Sequence, residues 1–258
     1  MAMKASVQFR FACIAMLLSL FGSLPTTTIT QAATREGQTT ATAQSENFVV
    51  TAPDLETAQA VLAQAESLRR SLAIEWLGEA MPDGIAPTVI RVVLSNDENK
   101  ALTWAADRAD RLSHMMWLTT SRERVTGHAL AHEMAHVVLS TRYPGELPAW
   151  LDEGIACRQD DAKRVTARRE MLAWYARTGN WPSLIDVLSK QKILSSDRAS
   201  YALSSSLTDY LLTQSDSTTL FAFAQTGREL GWDAALRSHY NIAHTRELES
   251  RWRAWASR

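Results

Sequence analysis

His132-Glu133-Met134-Ala135-His136 and Leu147-Pro148-Ala149-Trp150-Leu151-Asp152-Glu153-Gly154-Ile155-Ala156 are the two runs on which the reading of this 258-residue chain turns. Around the first, almost every residue is apolar: Ala129, Leu130 and Ala131 precede it, and Val137, Val138 and Leu139 come after it. That pattern predicts a helix over about 125 to 142, which puts side chains at i and i+4 on one face. Two imidazoles one turn apart can bind a single ion. Without partners, two histidines and a glutamate on so apolar a helix would be costly to bury. A zinc ion gives His132 and His136 their partner, and a zinc-bound water gives one to Glu133.

A catalytic zinc site needs a third protein ligand and an open position. Tyr143-Pro144-Gly145 supplies a chain reversal, and Pro148 suits the first turn of a second helix over about 148 to 159. A helix–turn–helix this short folds back antiparallel, which can bring Glu153 opposite the histidines. Asp152 is a neighbouring carboxylate. One step along a helix turns the side chain by about 100°, so only one of the pair can face the ion. His128 extends the series to i, i+4 and i+8, but it lies about 12 Å along the helix from His136. Zinc–nitrogen bonds of about 2.1 Å cannot span that, so His128 is expected to pack or to support a ligand.

Taken together, the two runs closely resemble the gluzincin metallopeptidases, in particular the bacterial peptidase MA-like group. That group pairs His-Glu-x-x-His with Pro-x-Trp-Leu-x-Glu-Gly-x-Ala. The resemblance extends from about Thr88 to the C-terminus, through Ser200-Tyr201-Ala202-Leu203-Ser204 and Leu248-Glu249-Ser250-Arg251-Trp252-Arg253-Ala254-Trp255, and is sharp at the two metal segments. It implies a zinc-dependent hydrolase of peptide bonds, with one zinc (Zn2+) per chain on His132, His136 and Glu153, and it selects Glu153 over Asp152. Glu133 is then the general base, taking a proton from a water whose pKa zinc lowers to about 7 and passing it to the leaving amine. Tyr201 is the implied donor to the oxyanion, because related peptidases often place a Tyr or His in the helical lobe for that purpose; helix packing is the alternative. Relatives often carry an acidic residue near the position of Cys157 that could orient a ligand, which leaves Asp160 or Asp161 for that part here. In zincins an edge strand beside the active-site helix pairs with extended substrate, and Met115 to Leu118 is the expected strand.

The first 33 residues have the layout of a secretory signal: Lys4 and Arg10, an apolar run from Phe11 to Leu24, then a polar stretch ending at Ala33. The apolar run is short for a membrane span. The mature chain is expected to be exported, with no stable membrane span after cleavage. It would carry 25 basic against 28 acidic residues once Lys4 and Arg10 are removed. Cys13 leaves with the signal, so Cys157 stands alone and the fold must rest on its core. No basic stripe is present, so nucleic acid is not an expected partner, whereas a peptide or protein substrate is.

Residues 34–46 are polar and read as a flexible leader. Phe48-Val49-Val50 reads as a short strand, Pro53-Asp54 as the start of an amphipathic helix reaching Trp76, and Thr88 to Leu94 as a strand. From about Val125 the chain reads as helix, broken at Tyr143-Pro144-Gly145, Gly179-Asn180-Trp181-Pro182 and Thr226-Gly227. The class is therefore α+β: a small N-terminal sheet, an active-site helix and a helical C-terminal lobe, zincin-like, in one peptidase domain over 47–258. Most of the nine tryptophans are expected to fill the core, with Trp150 walling the cleft. An exported binding or scaffold protein that keeps this fold without turnover is the alternative function.

Overall fold

The computed structural model describes residues 28–30, 34–35, 38–82, 86–108 and 111–258. The chain is α+β. Its strands are β1 (Thr28–Thr30), β2 (Thr34–Arg35), β3 (Gln38–Thr39), β4 (Ala41–Gln44), β5 (Phe48–Ala52), β6 (Thr88–Leu94), β7 (Lys100–Arg108) and β8 (Arg111–Thr120). Six of them form one mixed sheet in the order β1-β4-β5-β6-β8-β7, while β2 and β3 pair only with each other. β6 runs parallel to both β5 and β8, and β7 runs antiparallel to β8.

Period-two alternation sets the buried face. On β8, His114, Met116, Leu118 and Thr120 are buried while Met115, Trp117 and Thr119 are only half-buried. Between β5 and β6 runs α1 (Leu55–Leu77), whose N-cap Asp54 accepts a 2.8 Å hydrogen bond from the Thr57 N–H. Arg122 bonds the same carboxylate and, with Thr57, holds it well below the usual carboxylate range. Ala58, Val61, Leu62, Ala65, Leu72 and Trp76 form the buried stripe of α1, close to the one its spacing predicts. Gly78 ends the helix at φ 76°, a conformation that favours glycine.

The rest is helical: α2 (His128–Arg142), α3 (Ala149–Ala156), α4 (Ala162–Thr178), α5 (Leu184–Ser189), α6 (Arg198–Gln214), α7 (Ser217–Leu230), α8 (Trp232–Tyr240) and α9 (Thr245–Ala256). α2 lies between the sheet and α3, and α3 packs against α6. No helix among the described residues is long and apolar enough to cross a membrane.

Three expectations need correction. Residues 41–44, read as part of a flexible leader, form β4 and pair with β5, and the Ala43 side chain is fully buried beneath the sheet. Met115 to Leu118 is not an edge strand: it lies in β8, flanked by β6 and β7, and β7 carries the edge. Thr226-Gly227 does not break a helix, because α7 runs through it. A Cβ on Gly227 would come within 2.2 Å of the Trp232 ring, so this glycine serves a close approach, and the chain turns later, at Gly231. The expected signal segment, apart from β1, lies outside the described residues.

A buried histidine in the sheet ties the fold to pH. His114 is 2% exposed, and burial pushes its pKa down to about 4; its Nε2 lies 2.7 Å from Ser140 Oγ. The folded pKa lies below the unfolded value of 6.5, so the unfolded chain takes up the proton first as pH falls. Stability from this group is therefore intact above pH 6.5, falls between pH 6.5 and about 4, and is level below that. Urea unfolding of wild type against His114→Gln should show the wild-type advantage shrinking by about 3 kcal/mol across this window. A pH-independent difference would refute a neutral buried His114.

Candidate metal centre

The centre is assembled by a helical hairpin. Leu130, Met134 and Val138 bury one side of α2, and His132, Glu133 and His136 share the other. Gly145, at φ 66°, lies in the turn between the helices, and Pro148 caps α3. α3 presses so closely on α6 that a Cβ on Gly154 would come within 2.1 Å of Thr208 Oγ1 and 2.8 Å of the Ser204 carbonyl oxygen. Only a glycine allows that approach, and the approach carries Glu153, its neighbour, to the histidines.

His132, His136 and Glu153 come together so that one ligand atom from each lies within 4.8 Å of the others. Glu153 Oε2 is 3.6 Å from His132 Nε2 and 3.6 Å from His136 Nε2. Tetrahedral zinc with bonds of roughly 2.0–2.1 Å would set its ligand atoms about 3.3 Å apart, so a small closure seats the ion. Glu153 Oε2 is buried and has no hydrogen-bond partner, an arrangement that native interiors rarely leave without an ion or water. Two imidazoles and a carboxylate are the donor set suited to zinc.

Each imidazole has a carboxylate behind it. His136 Nδ1 lies 3.0 Å from Asp152 Oδ2. His132 Nδ1 lies 3.2 Å from Asp160 Oδ1, close enough for charge attraction though not lined up as a hydrogen bond. The two Nδ1 atoms thus point outward and the two Nε2 atoms inward, the orientation a carboxylate–histidine–metal relay requires. Asp160 is itself fixed, by Arg164 at 2.9 Å and Arg168 at 2.5 Å, and Arg168 also donates to the Cys157 carbonyl. Burial would raise the Asp160 pKa, but His132, Arg168 and Arg164 together hold it well below the carboxylate range.

The surroundings favour positive charge. Burial opposes protonation of His136, yet Asp152, Glu153 and Glu133 raise its pKa to about 10. His132 is raised in the same way, burial being outweighed by Asp160 and Glu153. Before an ion binds, this ring of acids stabilises protons on the histidines; a divalent cation meets the same demand with more charge.

Tyr201, on α6, donates its hydroxyl to Glu153 Oε1 at 3.2 Å. Burial, followed by Glu153, raises its pKa, so it stays a neutral donor. Glu133 is buried and close enough to His136 and Tyr201 to act on the charge of both. His128 is exposed and stands outside the centre, with Nδ1 2.9 Å from the Gln159 carbonyl oxygen. Cys157 is buried and burial pushes its thiol upward, as expected for a packing residue. Trp150 does not wall a cleft: it is fully buried on the far side of α3, against Phe223 and Trp232. An apolar ring at an inward position of a short helix fills the core rather than the cleft.

From the sequence, Asp160 is only one of two choices, and Asp152 as the partner of His136 is missed. Arg164 and Arg168 are missed as well, although Asp160, Arg164 and Arg168 have the i, i+4, i+8 spacing of an ion-paired helical stripe. Removing such a partner typically costs roughly 10- to 100-fold in metal affinity. Asp160→Asn should therefore weaken zinc binding by about that factor while leaving the fold intact, measured by competition with a chelating dye. Unchanged affinity would show that Asp160 does not orient His132.

No family model matches the chain, and comparison with curated proteins and with solved structures likewise finds no match.

Proposed function

We propose that this protein is an exported zinc-dependent peptidase that hydrolyses peptide bonds. The observation that carries the reading is the convergence of His132 Nε2, His136 Nε2 and the unpartnered Glu153 Oε2, beside a buried Glu133. His132, His136 and Glu153 would hold the ion. When bound, zinc supplies Lewis-acid chemistry, acidifying a water and polarising a carbonyl oxygen.

The chain's own residues supply the rest. Glu133 accepts the proton from the attacking water and delivers it to the departing amine. Its place between ligands on the same helix face keeps it within reach of both. Asp152 and Asp160 hold the imidazoles in the ligating tautomer and orientation. Tyr201 offers a neutral O–H where negative charge develops on the carbonyl oxygen. The free edge of β7, against which α2 packs, supports binding of an extended peptide by main-chain pairing. The charged start and apolar run of residues 1–33 support export.

Purified protein should carry about one zinc per chain by mass spectrometry, and His132→Ala should lose it. Glu133→Gln should keep the zinc and lose at least about 100-fold in turnover of a quenched-fluorescent peptide library. Folded protein without zinc would overturn the reading. Turnover indifferent to Glu133→Gln would remove Glu133 from the mechanism.

Tyr201→Phe should retain zinc and lower kcat by about 100-fold with little change in KM. Loss of zinc instead would confine Tyr201 to holding Glu153.

A further inference from the structure

α4 has an unusual surface for a helix in the middle of a fold: Tyr175 is its only buried residue. Val165, Arg169, Leu172 and Ala176 lie along one stripe of α4, with Arg177 beside it, and the apolar members of that stripe are only half-buried. It lines a half-open cavity of about 1040 Å³, closed on the other side by α6 and by Trp255 of α9. The volume is at the upper end of small-molecule sites, roughly 300–1,000 Å³.

The charges in this cavity do not balance. Five arginines line it, Arg158, Arg168, Arg169, Arg177 and Arg258, against the carboxylates of Glu75 and Asp209. Arg158 is ion-paired with Asp209 and lies 5.7 Å from the centre of the Trp76 ring, so its charge is already engaged. Arg168 is committed to Asp160. Arg169 and Arg177, two turns apart on the same helix, make no ion pair among the described residues. Two unpaired guanidiniums above an apolar floor are suited to a planar anionic head with an apolar body.

We infer that the cavity between α4 and α6 is a second binding site, for a small organic anion with a carboxylate or phosphate head and an apolar body. Arg169 and Arg177 hold the head, while Leu172, Ala176 and Trp255 cover the body. The site lies behind the metal centre, on the side where Arg168 holds Asp160, and needs neither metal nor turnover.

Isothermal titration of the purified protein with decanoate tests this directly. Decanoate should bind at one per chain, and Arg169→Glu/Arg177→Glu should weaken it at least about tenfold, since each arginine contributes a charge-assisted hydrogen bond. Ala173→Trp, at an exposed position on the cavity wall, should weaken binding by crowding the wall beside Arg169 and Arg177; circular dichroism checks that each variant is folded. Absence of saturable heat with decanoate would overturn the proposal. So would equal binding of decyltrimethylammonium, which would leave the arginines without a role, or equal binding of inorganic phosphate, which would leave the apolar floor without one. Because none of these readings uses zinc or peptide cleavage, their failure is separable from failure of the peptidase reading.

Discussion

His132 and His136 are each held between two carboxylates, Glu153 on the inner side and Asp160 or Asp152 on the outer. Four acids around two imidazoles in a largely buried space cannot stand without positive charge between them. Bare carboxylates there would repel one another in surroundings where water screens little. The chain's own groups answer this demand by raising the proton affinity of both histidines and by placing Arg164 and Arg168 on Asp160. The composition of the region therefore follows from electrostatics once two histidines are placed a turn apart on an apolar helix.

Much of this was legible because helical spacing is a local property. The pairs 132/136 and 152/153 decide which side chains share a face, and α2 and α3 place them accordingly. β6 and α1 were equally readable, one from its run of β-branched residues and the other from a regular apolar stripe after an N-cap. Which segments pack against one another could not be read. β4 looks like polar linker until Ala43 is set under β5, and the true edge strand, β7, carries too mixed a composition to announce itself. Gly227 resembles a helix breaker until Trp232 arrives against it.

Within the centre, the same division holds. His132, His136, Glu153 and Glu133 were named from spacing and from likeness to a known group, whereas the outer partners depend on how two helices rotate against each other. Asp152 is adjacent to a ligand in sequence and yet reaches around to the far side of His136. The spacing within one helix does not yield that, because it depends on the depth to which α3 sits beside α2.

α3 is eight residues long, too short to keep its own position. It is pinned from behind: Gly154 meets Thr208 and Ser204 on α6, and Trp150 is locked among Phe223 and Trp232. The partners Ser204, Thr208, Phe223 and Trp232 lie about 50 to 80 residues beyond Glu153, outside the two runs 132–136 and 147–156. In evolutionary terms, the C-terminal helices are where such a protein can decay unseen. Drift there would shift Glu153 away from the histidines while both runs stayed intact, and a search for those runs alone would not register the change.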